Sequence, residues 1–142
     1  MSFTKRDIWR LCTTVGAIDP ESASASATVN GDAVDVRFAG GGGASVVLAI
    51  QCGAATGGPS AQTVDGKVQD SADGSTGWAD LGTGSVATQL TADDTFSQSA
   101  GINLTPGNKG YIRAVVTVAL TGGAAPTIPV GATLVIGGRD PA

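Results

Sequence analysis

Histidine is absent from this sequence of 142 residues, and charged side chains make up only 14% of it. Without histidine, nucleophile–base pairs of the Ser-His and Cys-His type are excluded. Two carboxylates could still hydrolyse a glycosidic bond. The acidic pair Asp93 and Asp94, however, has no second carboxylate, base or metal ligand at a spacing that couples to it. We therefore expect neither an enzyme nor a cofactor.

Aromatic side chains are also scarce: Phe, Trp and Tyr account for 4% of the chain, whereas glycine occurs 22 times. A core built from valine, isoleucine, leucine and alanine must be thin, and glycine raises the entropic cost of folding. Small domains bury too little surface to be far above marginal stability. This composition favours a component of an assembly, in which partner subunits supply the missing burial.

Cysteine occurs twice, as Cys12 and Cys52, without the close spacing of a metal or redox motif. Two free, half-buried thiols fit better than a disulfide, although the spacing leaves pairing open. No apolar run reaches the ~18 residues of a membrane helix. The N-terminus also lacks the apolar region of a signal peptide. We expect a chain that is made in a reducing cytoplasm, without export and with no membrane partner.

Positive charge is in the minority, since the net charge is −4. Phosphate contacts need clustered lysine and arginine, so no nucleic acid is expected as a partner of the main body. Three of the eight basic residues, Lys5, Arg6 and Arg10, lie within the first ten positions. This patch could bind an acidic surface; the alternative is an exposed basic terminus without a partner.

Strand patterns dominate what is present. Hydrophobic residues alternate over Ala33–Phe38, and Ser45–Gly53 is a continuous apolar run, typical of a strand covered on both faces. In the strongest strand, Gly110–Leu120, one face carries Ile112, Ala114, Val116 and Val118, and the other carries Tyr111, Arg113, Val115 and Thr117. Turn residues separate these strands and no long helix is predicted. The pattern predicts an all-β fold, a single antiparallel β-sandwich of the jelly-roll or Ig-like kind.

The first 32 residues differ from this pattern. Residues 2–14 fit one or two helical turns or an extended arm, and Asp19–Asp32 is small and polar, which indicates a flexible connector. We therefore predict an N-terminal arm and connector over residues 1–32 and a sandwich domain over residues 33–142. The arm residues predicted to bind a neighbouring subunit are Phe3, Lys5, Arg6, Ile8, Trp9, Arg10 and Leu11.

The stretch "KVQDSADGSTGWADL", residues 67–81, predicts a strand, a tight turn and a second strand. A calcium loop starting at Asp70 would need a carboxylate at its twelfth position, which is Leu81, so no metal site is predicted. Asp-Gly at positions 73 and 74 is instead a hairpin turn signal. Trp78 after such a turn packs on the core or on a subunit interface. Arg113 would pair with an aspartate or reach a partner, and we include Tyr111 in the same candidate interface.

Two features together resemble a known class of proteins. They are the "VQDSADGSTGWADL" hairpin and the "YIRAVVTV" strand, which is followed by a Gly/Pro turn and a last apolar strand ending in glycine. Residues 45–138 are similar in these features to small virion structural proteins of tailed bacteriophages, of the capsid decoration or cement type. The resemblance brings no catalytic residues with it.

This resemblance implies a protein made in the bacterial host cytoplasm that binds the outer capsid surface, with the major capsid protein as its partner. A homo-oligomer is expected, and a trimer would suit the local threefold positions of a capsid. Two alternatives remain open: another virion component (tail, neck or head fibre), and a carbohydrate-binding module that uses Trp78.

Overall fold

The fold was analysed in a computed structural model, which describes residues 12–36, 45–104 and 109–137. Strands account for most of these residues, and the only helix among them is one 3-10 turn over Thr83–Ser85. The strands are β1 (Cys12–Ser24), β2 (Thr28–Asn30), β3 (Val34–Asp35), β4 (Ser45–Cys52), β5 (Ala61–Ser71), β6 (Ala79–Asp80), β7 (Phe96–Gln98), β8 (Ile102–Asn103), β9 (Tyr111–Thr121) and β10 (Thr127–Gly137).

The strands form two sheets. Sheet A has the order β1-β10-β4-β7, with β8 also paired to β4, and sheet B has the order β2-β9-β5-β6, with β3 paired to β9. Every pairing between these strands is antiparallel. The predicted antiparallel β-sandwich is therefore confirmed. None of the described helical residues forms a helix long and apolar enough to cross a bilayer.

The core lies between the sheets and is built mainly from inward-facing residues of the five longest strands, β1, β4, β5, β9 and β10. Burial in β9 follows the predicted alternation, since Ile112, Ala114, Val116 and Val118 are all fully buried. Fully buried partners on sheet A include Leu48, Ile128 and Leu134. No aromatic side chain is among the described core residues, which fits the thin core expected from composition.

The two sheets pack closely at Gly66, which is buried and faces sheet A. A Cβ at this position would lie 2.6 Å from Cγ2 of Ile50 and 3.2 Å from Cδ2 of Leu48. Real carbon atoms do not approach so closely, so glycine allows β5 and β4 to pack face to face here. The glycine content of the chain thus has one defined structural use in the core.

The N-terminal part of the sandwich corrects one expectation. β1 occupies Cys12–Ser24 and pairs with β10 along its length, although its register shifts twice, between Gly16 and Ile18 and between Ile18 and Glu21. Ala17, Ile18 and Ala23 are buried in the core. The flexible connector predicted over Asp19–Asp32 is therefore wrong for the strand residues. The strand was not predicted because most of its small and polar residues face solvent and only a few residues face the core.

Two other predictions concern the strand over Ala33–Phe38 and the state of the two cysteines. The strand predicted over Ala33–Phe38 is short, because β3 covers only Val34–Asp35; Phe38 lies outside the described residues. The cysteines are free, as expected, with Cys12 half-buried and Cys52 buried. They lie at opposite ends of sheet A, since Cys12 is opposite Gly137 and Cys52 is opposite Val130.

β4 matches its predicted strand but not its predicted environment. Val46, Leu48, Ile50 and Cys52 are buried against sheet B, as expected for one face. The other face, which includes Val47 and Ala49, is only half-buried. The apolar run predicted a cover on both faces, and the described residues leave the outer face of sheet A only partly covered.

Candidate functional site

The three residues predicted as an interface, Trp78, Tyr111 and Arg113, come together on the outer face of sheet B. Tyr111 and Arg113 belong to β9 and point away from the core, and Trp78 comes directly before β6. All three are half-buried. We call these residues, with Gln69 of β5, the hairpin cluster.

Arg113 is the centre of the hairpin cluster. Its guanidinium carbon lies 4.3 Å from the centroid of the Trp78 ring, which is a cation–π distance. Its Nε and Nη2 atoms both donate to Oε1 of Gln69, at 3.1 and 2.9 Å. Gln69 and Arg113 are directly opposite each other in the β5–β9 ladder, so the strand register itself places these groups together.

Strand β6 extends this network with a carboxylate. Asp80 accepts hydrogen bonds from Nε2 of Gln69 at 2.9 Å and from Nζ of Lys67 at 2.9 Å. The bond from Gln69, followed by that from Lys67, holds the pKa of Asp80 below its ordinary value. A chain of polar contacts therefore runs from Lys67 through Asp80 and Gln69 to Arg113, and it fixes the orientation of the guanidinium beneath the indole ring.

The loop between β5 and β6 is organised by Asp73. Its carboxylate accepts bonds from the backbone nitrogens of Ser75 and Thr76, at 2.8 and 2.7 Å, and from Oγ1 of Thr76 at 2.6 Å. These donors, first the Thr76 hydroxyl and then the backbone amides, hold the pKa of Asp73 far below its usual range. The acceptor geometry confirms the turn role predicted for this residue. The connection between strands spans residues 72–78, so the turn is longer than the tight turn expected.

Gly74 connects this loop to the hairpin cluster. Its φ angle is +75°, and a Cβ on it would lie 2.9 Å from Cδ1 of Tyr111. The Tyr111 ring therefore packs directly on the glycine backbone. A loop held from within by Asp73 and seated on an aromatic ring presents a preformed surface, which binds a partner at a low entropic cost.

The chemistry of the hairpin cluster is that of a binding surface. Tryptophan, tyrosine and arginine are the residue types that most often dominate the energy of protein–protein interfaces. The Arg113 guanidinium already has an acceptor, Gln69, and an aromatic partner, Trp78, within the chain. What remains for a partner protein is the exposed part of the Trp78 and Tyr111 rings and the unused N–H donors of Arg113. The predicted pairing of Arg113 with an aspartate is wrong for the described contacts, in which its guanidinium binds Gln69 and the Trp78 ring instead.

A second exposed feature, which the sequence analysis missed, lies on sheet A. Phe96 of β7 is 82% exposed. It borders a groove of about 370 Å³ whose lining includes Pro20, Gln51, Pro129 and Gly131. We call this the Phe96 groove.

Phe96 faces outward because serines take the inward positions of its strand. The Ser99 hydroxyl accepts a 3.0 Å bond from the backbone nitrogen of Leu48, and the Ser97 hydroxyl donates to the carbonyl of Thr88. Ser99 is only 3% exposed. Hydrophobicity alone would place Phe96 in the core. The sequence signal for its outward position is the polar Gln98, because residues two apart on a strand lie on the same face.

The arm residues predicted to bind a neighbour, Phe3, Lys5, Arg6, Ile8, Trp9, Arg10 and Leu11, lie outside the described residues. Their sequence and their attachment at Cys12, the first residue of β1, are the facts available for them. Their role stays a prediction.

Comparison with known proteins gives a fold likeness. No protein-family model matches the chain, and no curated protein is significantly similar to it in sequence. A structure of infectious bursal disease virus, Gx strain, is 11% identical with a TM-score of 0.54, and the match covers 88% of this chain and 32% of the viral chain. The PBSX exported protein XepA is 10% identical with a TM-score of 0.53, covering 95% of this chain and 40% of XepA.

A third structure is less similar. It contains the CBM22-1 and GH10 modules of xylanase 10B from Clostridium thermocellum, complexed with xylohexaose, and is 9% identical with a TM-score of 0.45. The match covers 94% of this chain and 28% of the xylanase chain. The chain thus spans well under half the length of all three proteins. At these identities the likeness shows the fold alone: a β-sandwich of a kind that a virus also uses.

Proposed function

We propose that this chain is a structural component of a bacteriophage virion, and specifically a capsid decoration protein. It binds the outer capsid surface and stabilises joints between major capsid subunits, without a catalytic role. The observation that carries the proposal is the hairpin cluster. The "VQDSADGSTGWADL" and "YIRAVVTV" features that resemble phage virion proteins converge, through Trp78, Gln69 and Arg113, on one ordered surface.

The chemistry of this surface supports a protein partner. The described residues carry three basic side chains, Lys67, Lys109 and Arg113, against ten acidic ones. Lys67 bonds Asp80, and Lys109 lies 3.9 Å from Asp70, so two of the three cations are matched by carboxylates. Because two of these cations lie beside carboxylates, the described residues of this face do not form the cluster of unpaired positive charge that phosphate contacts need. This favours a protein rather than a nucleic acid as partner, and we propose the major capsid protein.

The sandwich fold agrees with this role. Two of the structures that share it come from a virus and from the PBSX exported protein XepA. Many copies on one shell bind with high avidity even where a single copy binds weakly, because each further contact becomes intramolecular. A homo-oligomer, with a trimer as the form that suits a local threefold position, completes the proposal. The protein is made in the host cytoplasm and resides on the capsid surface.

Virion binding is the direct test. Particles that lack this chain are incubated with purified wild-type protein or with Trp78→Ala, and bound protein is measured after sedimentation. Val86→Ser is the matched control, since Val86 is 48% exposed and does not belong to the hairpin cluster. We expect wild-type and Val86→Ser to saturate the shell at a fixed stoichiometry and Trp78→Ala to bind much less. Binding confined to tails, or equal binding of Trp78→Ala, would contradict the proposal.

A second contact is proposed for the arm. Deletion of residues 1–11 leaves every described strand of the sandwich in place. We expect this deletion to abolish capsid attachment while the circular dichroism of the β domain is unchanged. Full occupancy of capsids by the truncated protein would show that the arm has no part in attachment.

Carbohydrate binding is the remaining alternative outside the virion. It rests on the half-exposed Trp78 ring, since sugars stack on aromatic faces. Arg113 already covers one face of that ring at 4.3 Å, which leaves less of the ring for a sugar. Binding on a glycan array that disappears in Trp78→Ala would favour this alternative, and an array without signal would remove it.

A further inference from the structure

The outer face of sheet A carries apolar side chains that the described residues leave partly uncovered. Val47 and Ala49 of β4 are half-buried, and so is Val135 of β10. Phe96 lies at the edge of the same face with most of its ring in solvent. Contiguous exposed apolar area of this kind marks interaction sites in soluble proteins.

The groove beside Phe96 can accommodate a large side chain. Pro20, Pro129 and Gly131 supply its apolar walls, and Gln51 and Asp94 supply polar groups. Its volume of about 370 Å³ falls in the range of sites that enclose small ligands. A large apolar side chain of a peptide would fill it and cover Phe96 at the same time.

The charge around the groove is negative. Asp94 lines it, and none of its described lining residues is basic. All three described basic residues, by contrast, lie on or beside sheet B: Lys67 on β5, Arg113 on β9 and Lys109 near Asp70. A ligand that combines apolar side chains with positive charge is therefore complementary to this face.

The chain itself contains such a segment outside the described residues. Positions 1–11, MSFTKRDIWRL, hold Phe3, Ile8, Trp9 and Leu11 together with three basic residues and a single acidic one. The segment is attached at Cys12, which is opposite Gly137 in the β1–β10 ladder. Its composition matches the Phe96 groove in both apolar and charge character.

The strand register decides which molecule can place Trp9 in the groove. From the Cys12–Gly137 end of sheet A to Gly131 is six residues of β10, about 20 Å, and from β1 to β7 is three strand spacings, about 14 Å. Phe96 therefore lies about 25 Å from Cys12 by these spacings. Trp9 is three residues from Cys12 and extends at most about 11 Å from it. Trp9 cannot reach the groove of its own molecule.

We propose that the Phe96 groove receives residues 3–11 of a second copy of this chain, with Trp9 as the main anchor. Each copy would extend its segment from the Cys12 end of sheet A onto the acidic, apolar face of a neighbour. A basic residue of the segment would lie beside Asp94. This exchange goes beyond attachment to a capsid, because it joins copies of the chain to one another and needs no particle.

Photocrosslinking tests which molecule occupies the groove. A copy with the photoreactive residue p-benzoylphenylalanine in place of Phe96, which also carries Trp9→Phe, is co-expressed with wild-type chain. The oligomers are purified, irradiated and digested with trypsin, which releases residues 7–10 as one peptide. We expect position 96 to be joined to the peptide that contains Trp9, which only the second copy can supply. Crosslinks solely to the altered peptide, or to no residue between 1 and 11, would overturn the proposal.

Sedimentation velocity of the full-length chain gives an independent measure. Phe96→Ser and Trp9→Ala are each expected to raise the dissociation constant of self-association at least tenfold, whereas Val86→Ser leaves it unchanged. Raised salt should weaken the wild-type association, because the contact includes opposite charges. Unaltered association of both variants would contradict arm exchange. Since these experiments contain no virions, arm exchange can fail while capsid binding holds, and the reverse.

Discussion

The two outer faces of the sandwich differ in how far the chain satisfies them. On sheet B, polar side chains bind one another: Lys67 with Asp80, Gln69 with Arg113, and Gln89 with Asp65 at 2.9 Å. On sheet A, the outward residues include the half-buried Val47, Ala49 and Val135, and Phe96 is almost fully exposed. Among the described residues, the polar groups of one face are paired, whereas the apolar groups of the other are partly uncovered.

This difference indicates two kinds of contact. A face whose polar groups are already paired keeps its shape when alone, so it suits recognition of a different protein with little reorganisation. A face with uncovered apolar area gains most from being buried permanently, as subunit interfaces are. We accordingly assign the hairpin cluster on sheet B to the capsid and the Phe96 groove on sheet A to copies of the same chain.

The most direct test of this assignment is to measure both capsid binding and self-association for one variant of each face. Trp78→Ala should lower capsid affinity about 30-fold, the effect of a 2 kcal/mol hot spot, and leave self-association unchanged. Phe96→Ser should weaken self-association first. Both effects are measurable by sedimentation with and without particles. If either variant altered both processes to the same degree from the outset, the two faces would not have separate roles.

The contact between the two sheets can be tested at Gly66. Gly66→Ala places a methyl group 2.6 Å from Ile50, so we expect a loss of about 1–3 kcal/mol in the free energy of unfolding. Gly16→Ala is the matched control, because nothing lies within 4 Å of a Cβ there. It should leave stability unchanged or slightly higher. Denaturant unfolding of both variants decides it, and equal stability would show that the sheets are not closely packed at β5.

The packing of Tyr111 on the hairpin loop can be tested with substitutions at two glycines of that loop. Gly77→Ala suffers only the strain of a positive φ angle, +64°, about 1 kcal/mol. Gly74→Ala suffers similar strain and also meets the Tyr111 ring at 2.9 Å, so it should be the more destabilising of the two. Thermal unfolding gives the comparison. Equal losses would mean that the ring does not rest on the loop.

The smallest expected effect is a pH dependence on sheet B. The pKa of Asp73 is depressed in the folded chain, so its contribution to stability is fully present above its unfolded value near 3.8 and is lost as pH falls toward the lower folded pKa. An NMR titration of the Thr76 amide should have its midpoint below 3.8. Asp73→Asn should abolish this titration, and a wild-type midpoint at or above 3.8 would contradict the bonding described.

The sequence predicted the sandwich because β9 and β4 carry strict or continuous apolar patterns that only strands explain. It also grouped Trp78, Tyr111 and Arg113 as a candidate interface, from the hairpin signal and side-chain alternation. The structure brings them onto one face, and their role as an interface stays a prediction. Gln69, the acceptor that joins them, could not be predicted, because a cross-strand contact depends on pairing between distant segments.

The failures have physical causes as well. β1 was missed because Ser22 and Ser24, like most of its second half, face solvent, so its polar residues resembled a connector. Phe96 was missed because a buried serine is unusual, and only the backbone of Leu48 explains why Ser99 takes the inward position. In both cases the information lies in a neighbouring strand and not in the local pattern.

A density map of the intact virion tests the central claim that the two faces meet different partners. We expect this chain on the outer shell, with Trp78 and Arg113 against the major capsid protein and residues 3–11 of one copy in the Phe96 groove of the next. A map in which the hairpin cluster faces solvent, the groove is empty, or the chain is absent from the particle would contradict the account.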